Sequence, residues 1–79
     1  MKTWGCAVQY RGDSTRMVVT AKTIKRAVEL LNKVAQHPVS LYHFRLFAAK
    51  TGNEKELSMA AGKEGVILQL DFNKYKRLF

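Results

Sequence analysis

The stretch TWGCAVQYRGDSTRMVVTA, residues 3–21, decides the fold of this chain, because two strand-like segments flank a short turn. In the first segment every second residue has an apolar or aromatic side chain: Trp4, Cys6, Val8 and Tyr10. This is the period of a half-buried strand with that set facing the core. RGDS, residues 11–14, supplies the Gly and Asp that turns prefer, and β-branched residues return after it. We therefore expect a β-hairpin.

The next segment, KTIKRAVELLNKVAQ at residues 22–36, has the spacing of an amphipathic helix. Its apolar residues recur at three- and four-residue steps: Ile24, Ala27, Val28, Leu31, Val34 and Ala35. Thr20 or Thr23 could cap its first turn. The helix must end by His37, because Pro38 disfavours a helical conformation in the residue before it. This is the predicted long helix.

Three further elements complete the expected fold. VSLYHFRLFAA, residues 39–49, alternates as a third strand, and GVILQLDF, residues 65–72, as a fourth. Between them, TGNEKELSMAAG predicts a short helix, with Asn53 as N-cap, Glu56 as its capping-box partner and Gly62 at the end. We predict an α+β fold of order ββαβαβ, with a mainly antiparallel four-stranded sheet and both helices on one face.

Size and composition define one domain with a strong positive charge. A chain of 79 residues supplies one hydrophobic core. We place a single α+β domain at residues 1–72 and a basic, aromatic C-terminal tail, NKYKRLF, at residues 73–79. The 14 Lys and Arg against six Asp and Glu give a net charge of +8. Such a field favours anionic partners, of which nucleic acid is the commonest.

The sequence also argues against a disulfide, a cysteine-based zinc site, a signal peptide and a membrane span. Its single cysteine, Cys6, excludes an intramolecular disulfide and zinc sites built on paired cysteines. The N-terminal apolar run is too short for a signal peptide, and no run spans a bilayer. We expect a soluble, cytoplasmic protein with no membrane contact.

No catalytic constellation is evident. Cys6, His37 and His43 have a spacing that encodes no shared site, and a small cysteine in a strand is most often structural. Glu54, Glu56 and Glu64 are explained by helix capping and the helix dipole. The RGD tripeptide at residues 11–13 is explained by the turn it forms. We therefore predict a protein that is not an enzyme and has no cofactor and no bound metal.

Two groups of residues are candidates for a nucleic-acid interface. They are the tail residues with the third-strand arginine, Lys74, Tyr75, Lys76, Arg77 and Arg45, and the cations of the long helix, Lys22, Lys25, Arg26 and Lys33. Lysines on a helix also serve merely as a solvated face, and the tail, ending in Leu78 and Phe79, could equally be the last piece of the core.

The third strand offers a second candidate surface. Leu41, His43 and Phe47 share one of its faces with Arg45. If the helices cover the other face, this one presents aromatic and basic groups on an open sheet, a surface on which single-stranded nucleic acid stacks. The same apolar residues are equally explained by a homodimer interface or by packing of the C-terminal tail.

Two segments, RMVVTAKTIKRAVELL and FRLFAAKTGNEKELSMAAGKEGVIL, resemble small accessory proteins encoded by phages and plasmids. In those proteins a hairpin ending in V-x-A, a helix, a strand and a T-G-N-x-x-E turn precede a G-V strand. The resemblance covers roughly residues 16–68 and implies a fold rather than an activity or a set of functional residues. It suggests a mobile-element protein that adjusts a host nucleoprotein machine.

Together these features predict a small, basic, non-enzymatic binding module that contacts nucleic acid or a nucleoprotein complex. The alternative is a phage or plasmid protein-interaction module that inhibits or modulates a host protein machine by binding an acidic host protein. In the alternative, charge would steer the encounter and a few aromatic side chains would supply the affinity.

Overall fold

The computed structural model describes residues 1–40, 42, 49–50, 54–71 and 74–79. Their elements, in chain order, are β1 (Lys2–Tyr10), β2 (Asp13–Ala21), α1 (Ile24–Asn32), β3 (Ala49–Lys50), α2 (Glu54–Ala60), β4 (Gly65–Asp71) and β5 (Lys74–Arg77). The strands form one sheet in the order β3-β1-β2-β4-β5, and every pairing is antiparallel. The predicted α+β class and antiparallel sheet are confirmed. Four strands have four or more residues, and β3 is a fifth, two-residue strand at the edge.

The predicted hairpin is formed by β1 and β2 around a turn of two residues. Tyr10 pairs with Asp13, so Arg11 and Gly12 form the turn, with φ of 51° and 88°. Two successive positive φ values match the twist of the flanking strands, and glycine adopts such values without strain. The Gly12 amide donates to Oε1 of Gln36 at 2.8 Å, which ties the hairpin tip to the chain beyond α1.

Helix α1 covers one face of the sheet, called here the α1 face. The register places Cys6 opposite Met17 and Met17 opposite Leu68, so the three side chains project from that face. The buried helix residues in contact with this face are Ala27, Leu30 and Leu31. The Thr23 hydroxyl accepts from the Arg26 amide at 3.1 Å and caps the helix, as one of the two predicted candidates.

Helix α2 packs against the opposite face, called here the α2 face. Its Ala60 is buried with Val18 and Ile67, which are paired across β2 and β4 and alternate with the residues under α1. The prediction that both helices lie on one face is therefore wrong. The physical reason lies in β2, whose Met17, Val18 and Val19 are apolar on both faces and need cover on both sides.

The end of α1 and the following chain are held by Asn32. Its side-chain amide donates to the Val39 carbonyl at 2.8 Å and its Oδ1 accepts from the Val39 amide at 2.5 Å. Val39 is buried against the α1 core, and no strand is assigned at Val39 and Ser40. Tyr42 is helical, so the strand prediction is wrong there too. Residues 41 and 43–48 of the predicted third strand lie outside the described residues. At its end, Ala49 begins β3, where Ala49 pairs with Gly5 and Lys50 with Trp4.

The C-terminal segment predicted as a tail contains β5. This strand pairs with β4 across a register shift between Gln69 and Asp71. After it, Leu78 packs against the α1 core, and its amide donates to the Val66 carbonyl at 2.8 Å. The Val66 amide donates in turn to the carbonyl of Phe79 at 3.0 Å. The basic residues 74–77 are thus part of the sheet edge.

Candidate functional site

Arg16 is a cation that forms an ion pair within the fold. From the α2 face of β2, its Nη2 lies 3.2 Å from Oε1 of Glu56 and its Nε donates to Oε2 at 3.3 Å. The Glu56 side chain is 2% exposed, whereas that of Arg16 is 39% exposed. The guanidinium occupies the space where a Cβ at position 5 would lie, which accounts for Gly5 in the middle of a strand. Glu56, predicted to cap α2, therefore anchors that helix to the sheet.

Arg26 is also engaged by carboxylates. Its Nη2 lies 2.8 Å from Oε1 of Glu64, and its Nη1 lies 3.1 Å from Oε2 of Glu29. The hydrogen bonds from Arg26, with the charges of Arg26, Lys33 and Lys22, hold the pKa of Glu64 below its ordinary value. The same contacts raise the pKa of Arg26. Arg26, a candidate from the sequence, is thus shared between two anions before any ligand arrives.

The four residues of β5 divide between the two faces. Tyr75 and Arg77 project from the α2 face, where Tyr75 packs beside Val18 and Ile67. Arg77 donates from Nη1 to the Met59 carbonyl at 3.1 Å and from Nη2 to the Glu64 carbonyl at 3.4 Å. These bonds place a cation at the C-terminal end of α2, where the helix dipole favours it. Arg77 therefore has a structural role, and Lys74 and Lys76 project toward the α1 side.

The remaining described lysine candidates lie on the side of the molecule where α1 lies, together with Arg11, which was not a candidate from the sequence. We define the basic surface by its exposed cations, Arg11, Lys22, Lys25, Lys33, Lys74 and Lys76. Among the residues that the structure describes, none of these six has a carboxylate within ion-pair distance. Glu56, Glu29 and Glu64 are bound to Arg16 and Arg26, so the acids left near this surface are Asp13 at the hairpin tip and Asp71 opposite Lys74, and cations outnumber anions there.

Phe79 joins the two halves of the basic surface. The Nζ of Lys33 lies 5.6 Å from the centroid of its ring, within the range of a cation–π contact. Phe79 is 40% exposed, and its backbone is held by Val66. The contact brings Lys33, at the C-terminal end of α1, next to the residues that follow β5.

The hairpin tip adds a cleft that the sequence did not indicate. This cleft of about 280 Å³ lies on the α1 side, between the tip and the ends of β4 and β5. We define the tip cleft by Tyr10, Arg11, Asp13, Leu70 and Lys76. In the sequence, the turn residues between the first two strands were the available signal for this region. Once the register of the hairpin strands is known, the two-residue turn places Tyr10 and Arg11 beside the last residues of β4.

Several predicted residues take no part in this site as described. Arg45, Leu41, His43 and Phe47 lie outside the described residues. Cys6 is buried, and desolvation raises the pKa of its thiol, as expected of a structural cysteine. Within the described ranges, no three His, Cys, Asp or Glu side chains are grouped closely enough to hold a metal ion, and no helix is both long and apolar enough to cross a membrane.

Comparison with known proteins gives no relative to which the chain can be assigned. No protein-family model matches it, and neither a curated protein nor a solved structure matches it with significance. The resemblance to phage and plasmid accessory proteins therefore stays a prediction.

Proposed function

We propose that this protein is a non-enzymatic binding module that contacts nucleic acid through its basic surface. One observation carries the proposal. The six cations of that surface are exposed on one side of the fold, and no carboxylate of the described residues lies within ion-pair distance of them, whereas Arg16 and Arg26 form ion pairs with Glu56, Glu29 and Glu64. Six of the exposed cations without an ion pair among the described residues thus lie on the side of the molecule where α1 lies.

The size of the molecule suits a short stretch of polyanion. Its principal extents are 27, 26 and 21 Å. Duplex DNA carries one charge per ~1.7 Å of axis, so a face of this length lies alongside about 15 phosphates, of which only those on the near side are within reach. Lysines bind phosphate as point charges and displace condensed counterions, so binding of this kind weakens steeply as salt rises.

Salt titration of binding tests the proposal directly. A labelled duplex and a labelled single strand of about 12 nucleotides are titrated with the protein, and anisotropy gives Kd from ~50 mM salt upward. Four to six phosphate contacts predict that log K falls with log salt with a slope of roughly −3 to −5. Absence of binding to both oligonucleotides at the lowest salt would contradict the proposal.

A pair of lysine variants locates the contact. Lys76→Gln removes a charge from the basic surface, and we expect the salt slope to fall by about 0.9 if Lys76 neutralises one phosphate. Lys63→Gln makes the same change in the exposed turn that follows α2 and should leave the slope unaltered. Equal losses in both variants would mean that binding reports total charge rather than this surface.

Capture from a host extract distinguishes the protein-interaction alternative. The proposal predicts that partners retained by the protein are lost after nuclease treatment. A partner that survives nuclease, and whose binding is weakened by Lys76→Gln, would instead favour a module that uses the same cations to bind an acidic host protein. That outcome would overturn the nucleic-acid proposal.

A further inference from the structure

The tip cleft combines an apolar floor with a cationic rim. Leu70 lies near the end of β4, within the register shift between Gln69 and Asp71; it is 59% exposed and lines this cleft. Beside it lie the buried Leu68 and the half-buried Leu78. Lys76 stands opposite Leu68 in the register and borders the cleft from β5. An exposed leucine between cations is suited to a ligand that is flat and apolar in one part and anionic in another.

Arg11 is held in place at the edge of this cleft. Its guanidinium carbon lies 5.3 Å from the centroid of the Tyr10 ring, in cation–π contact. Its backbone sits in the tight hairpin turn, which Gln36 anchors through the amide of Gly12. A guanidinium is planar and weakly hydrated, so one supported by an aromatic ring can offer its plane to a second flat group.

We propose that the tip cleft receives an unpaired base of a single-stranded nucleic acid, which makes single strands the preferred ligand of the basic surface. This inference rests on the function proposed above. The base contacts Leu70 and stacks on the Arg11 guanidinium, while the neighbouring phosphates lie against Lys74 and Lys76. In a duplex the bases are stacked on one another and cannot enter, so only the phosphate contacts would form.

Asp13 favours a base rather than a phosphate inside the cleft. Asp13 is one of the lining residues, and its negative charge would repel a phosphate group there. A carboxylate instead accepts hydrogen bonds from the amino and ring N–H groups of bases. The cleft therefore takes the base, and the phosphates stay outside at the lysines of β5.

Two substitutions separate base contact from charge. Arg11→Lys keeps the positive charge and removes the planar guanidinium. Leu70→Ala removes exposed apolar surface without emptying a buried site. We expect wild-type protein to bind a single strand of about 12 nucleotides more tightly than a duplex of equal length, and each variant to lose about fivefold or more for the single strand with little change for the duplex. Leu57→Ala, in an exposed leucine of α2 on the other face, is the matched control and should change neither affinity.

The outcomes distinguish this inference from the proposed function. Duplex binding as tight as single-strand binding, or unchanged single-strand affinity in both variants, would overturn the cleft assignment and leave a phosphate-binding module. Failure to bind either oligonucleotide at low salt would overturn both. Equal loss for single strand and duplex would show that Arg11 and Leu70 contribute to a contact that both ligands make, which also contradicts base stacking.

Discussion

At the scale of single residues, Gly5 shows how one absent side chain allows an ion pair to form. Ala at position 5 would place its Cβ against the Arg16 guanidinium and displace it from the buried Glu56. We predict that Gly5→Ala lowers the free energy of unfolding by about 1–3 kcal/mol, the usual range for hydrogen bonds lost to a charged group. Chemical denaturation measures it.

The control for this prediction is a double-mutant cycle. In an Arg16→Gln background the obstacle is gone, and alanine suits a strand at least as well as glycine does. Gly5→Ala should then be neutral or stabilising. A similar cost in both backgrounds would place the strain in the backbone rather than in the displaced guanidinium.

Glu64 gives a prediction about pH. Its pKa is lowered from an ordinary value of 4.5, chiefly by the hydrogen bonds from Arg26. A carboxyl whose pKa is lower in the folded state contributes stability that is present above its unfolded pKa and lost as pH falls through the folded one. We expect the Tm difference between wild type and Glu64→Gln to be constant near neutral pH and to shrink on acidification below about 4.5.

Arg26→Gln should remove most of the same pH-dependent difference, because Arg26 is the main cause of the shift. The Glu64→Gln change made in that background should then alter the Tm profile much less. A difference that persists unchanged without Arg26 would assign the effect to the neighbouring lysines.

At the scale of elements, the structure of β5 predicts that its adjacent cations, Arg77 and Lys76, contribute differently to the free energy of unfolding. Arg77 joins β5 to the end of α2 through two carbonyls, whereas Lys76 is exposed on the other face. We expect Arg77→Ala to lower the free energy of unfolding by about 1–2 kcal/mol. Lys76→Ala, the matched control in the same strand, should change it by less than about 0.5 kcal/mol. Urea denaturation compares the two, and equal effects would contradict the structural role of Arg77.

At the scale of the whole molecule, the strand order predicts a gradient of protection. β2 lies in the middle of the sheet with Met17–Ala21 buried, whereas β5 is an edge strand with two exposed lysines. Backbone amides exchange through local openings that cost least at edges. We expect hydrogen exchange to be slowest in β2 and the paired part of β4, and fastest in β5. Comparable protection in β5 and β2 would imply that the described sheet opens as one unit.

The sequence predicted the parts of this fold that have a clear period. Trp4 to Tyr10 alternate as expected, and Ala27 and Leu31 lie on the buried stripe of α1, which spans fewer residues than the periodic segment. The face of the sheet against which α2 packs was not predictable. Its described buried residues are Glu56 and Ala60, and the burial of Glu56 is explained by its ion pair with Arg16, far away in the chain.

The sequence showed which residues of the candidate site are charged. It did not show which face of the sheet they lie on or which of them form ion pairs. Lys74, Tyr75, Lys76 and Arg77 look alike as a basic segment, and only strand pairing shows that alternate residues face opposite sides. Arg16 and Arg26 differ from the exposed lysines through Glu56 and Glu64, which are 40 and 38 residues away in the chain. Contacts over such distances have no local signature.

The burial of β2 on both faces also bears on how this sequence can vary. Because α1 covers Met17 and Val19 while α2 lies over Val18, each position there is packed by one core or the other. In a saturation scan of substitutions, an ordinary half-exposed strand tolerates polar residues at every second position, whereas Met17, Val18 and Val19 should form an unbroken block that tolerates none. The exposed side of α1 should tolerate many residues for folding, so substitutions selected against there would mark function rather than stability.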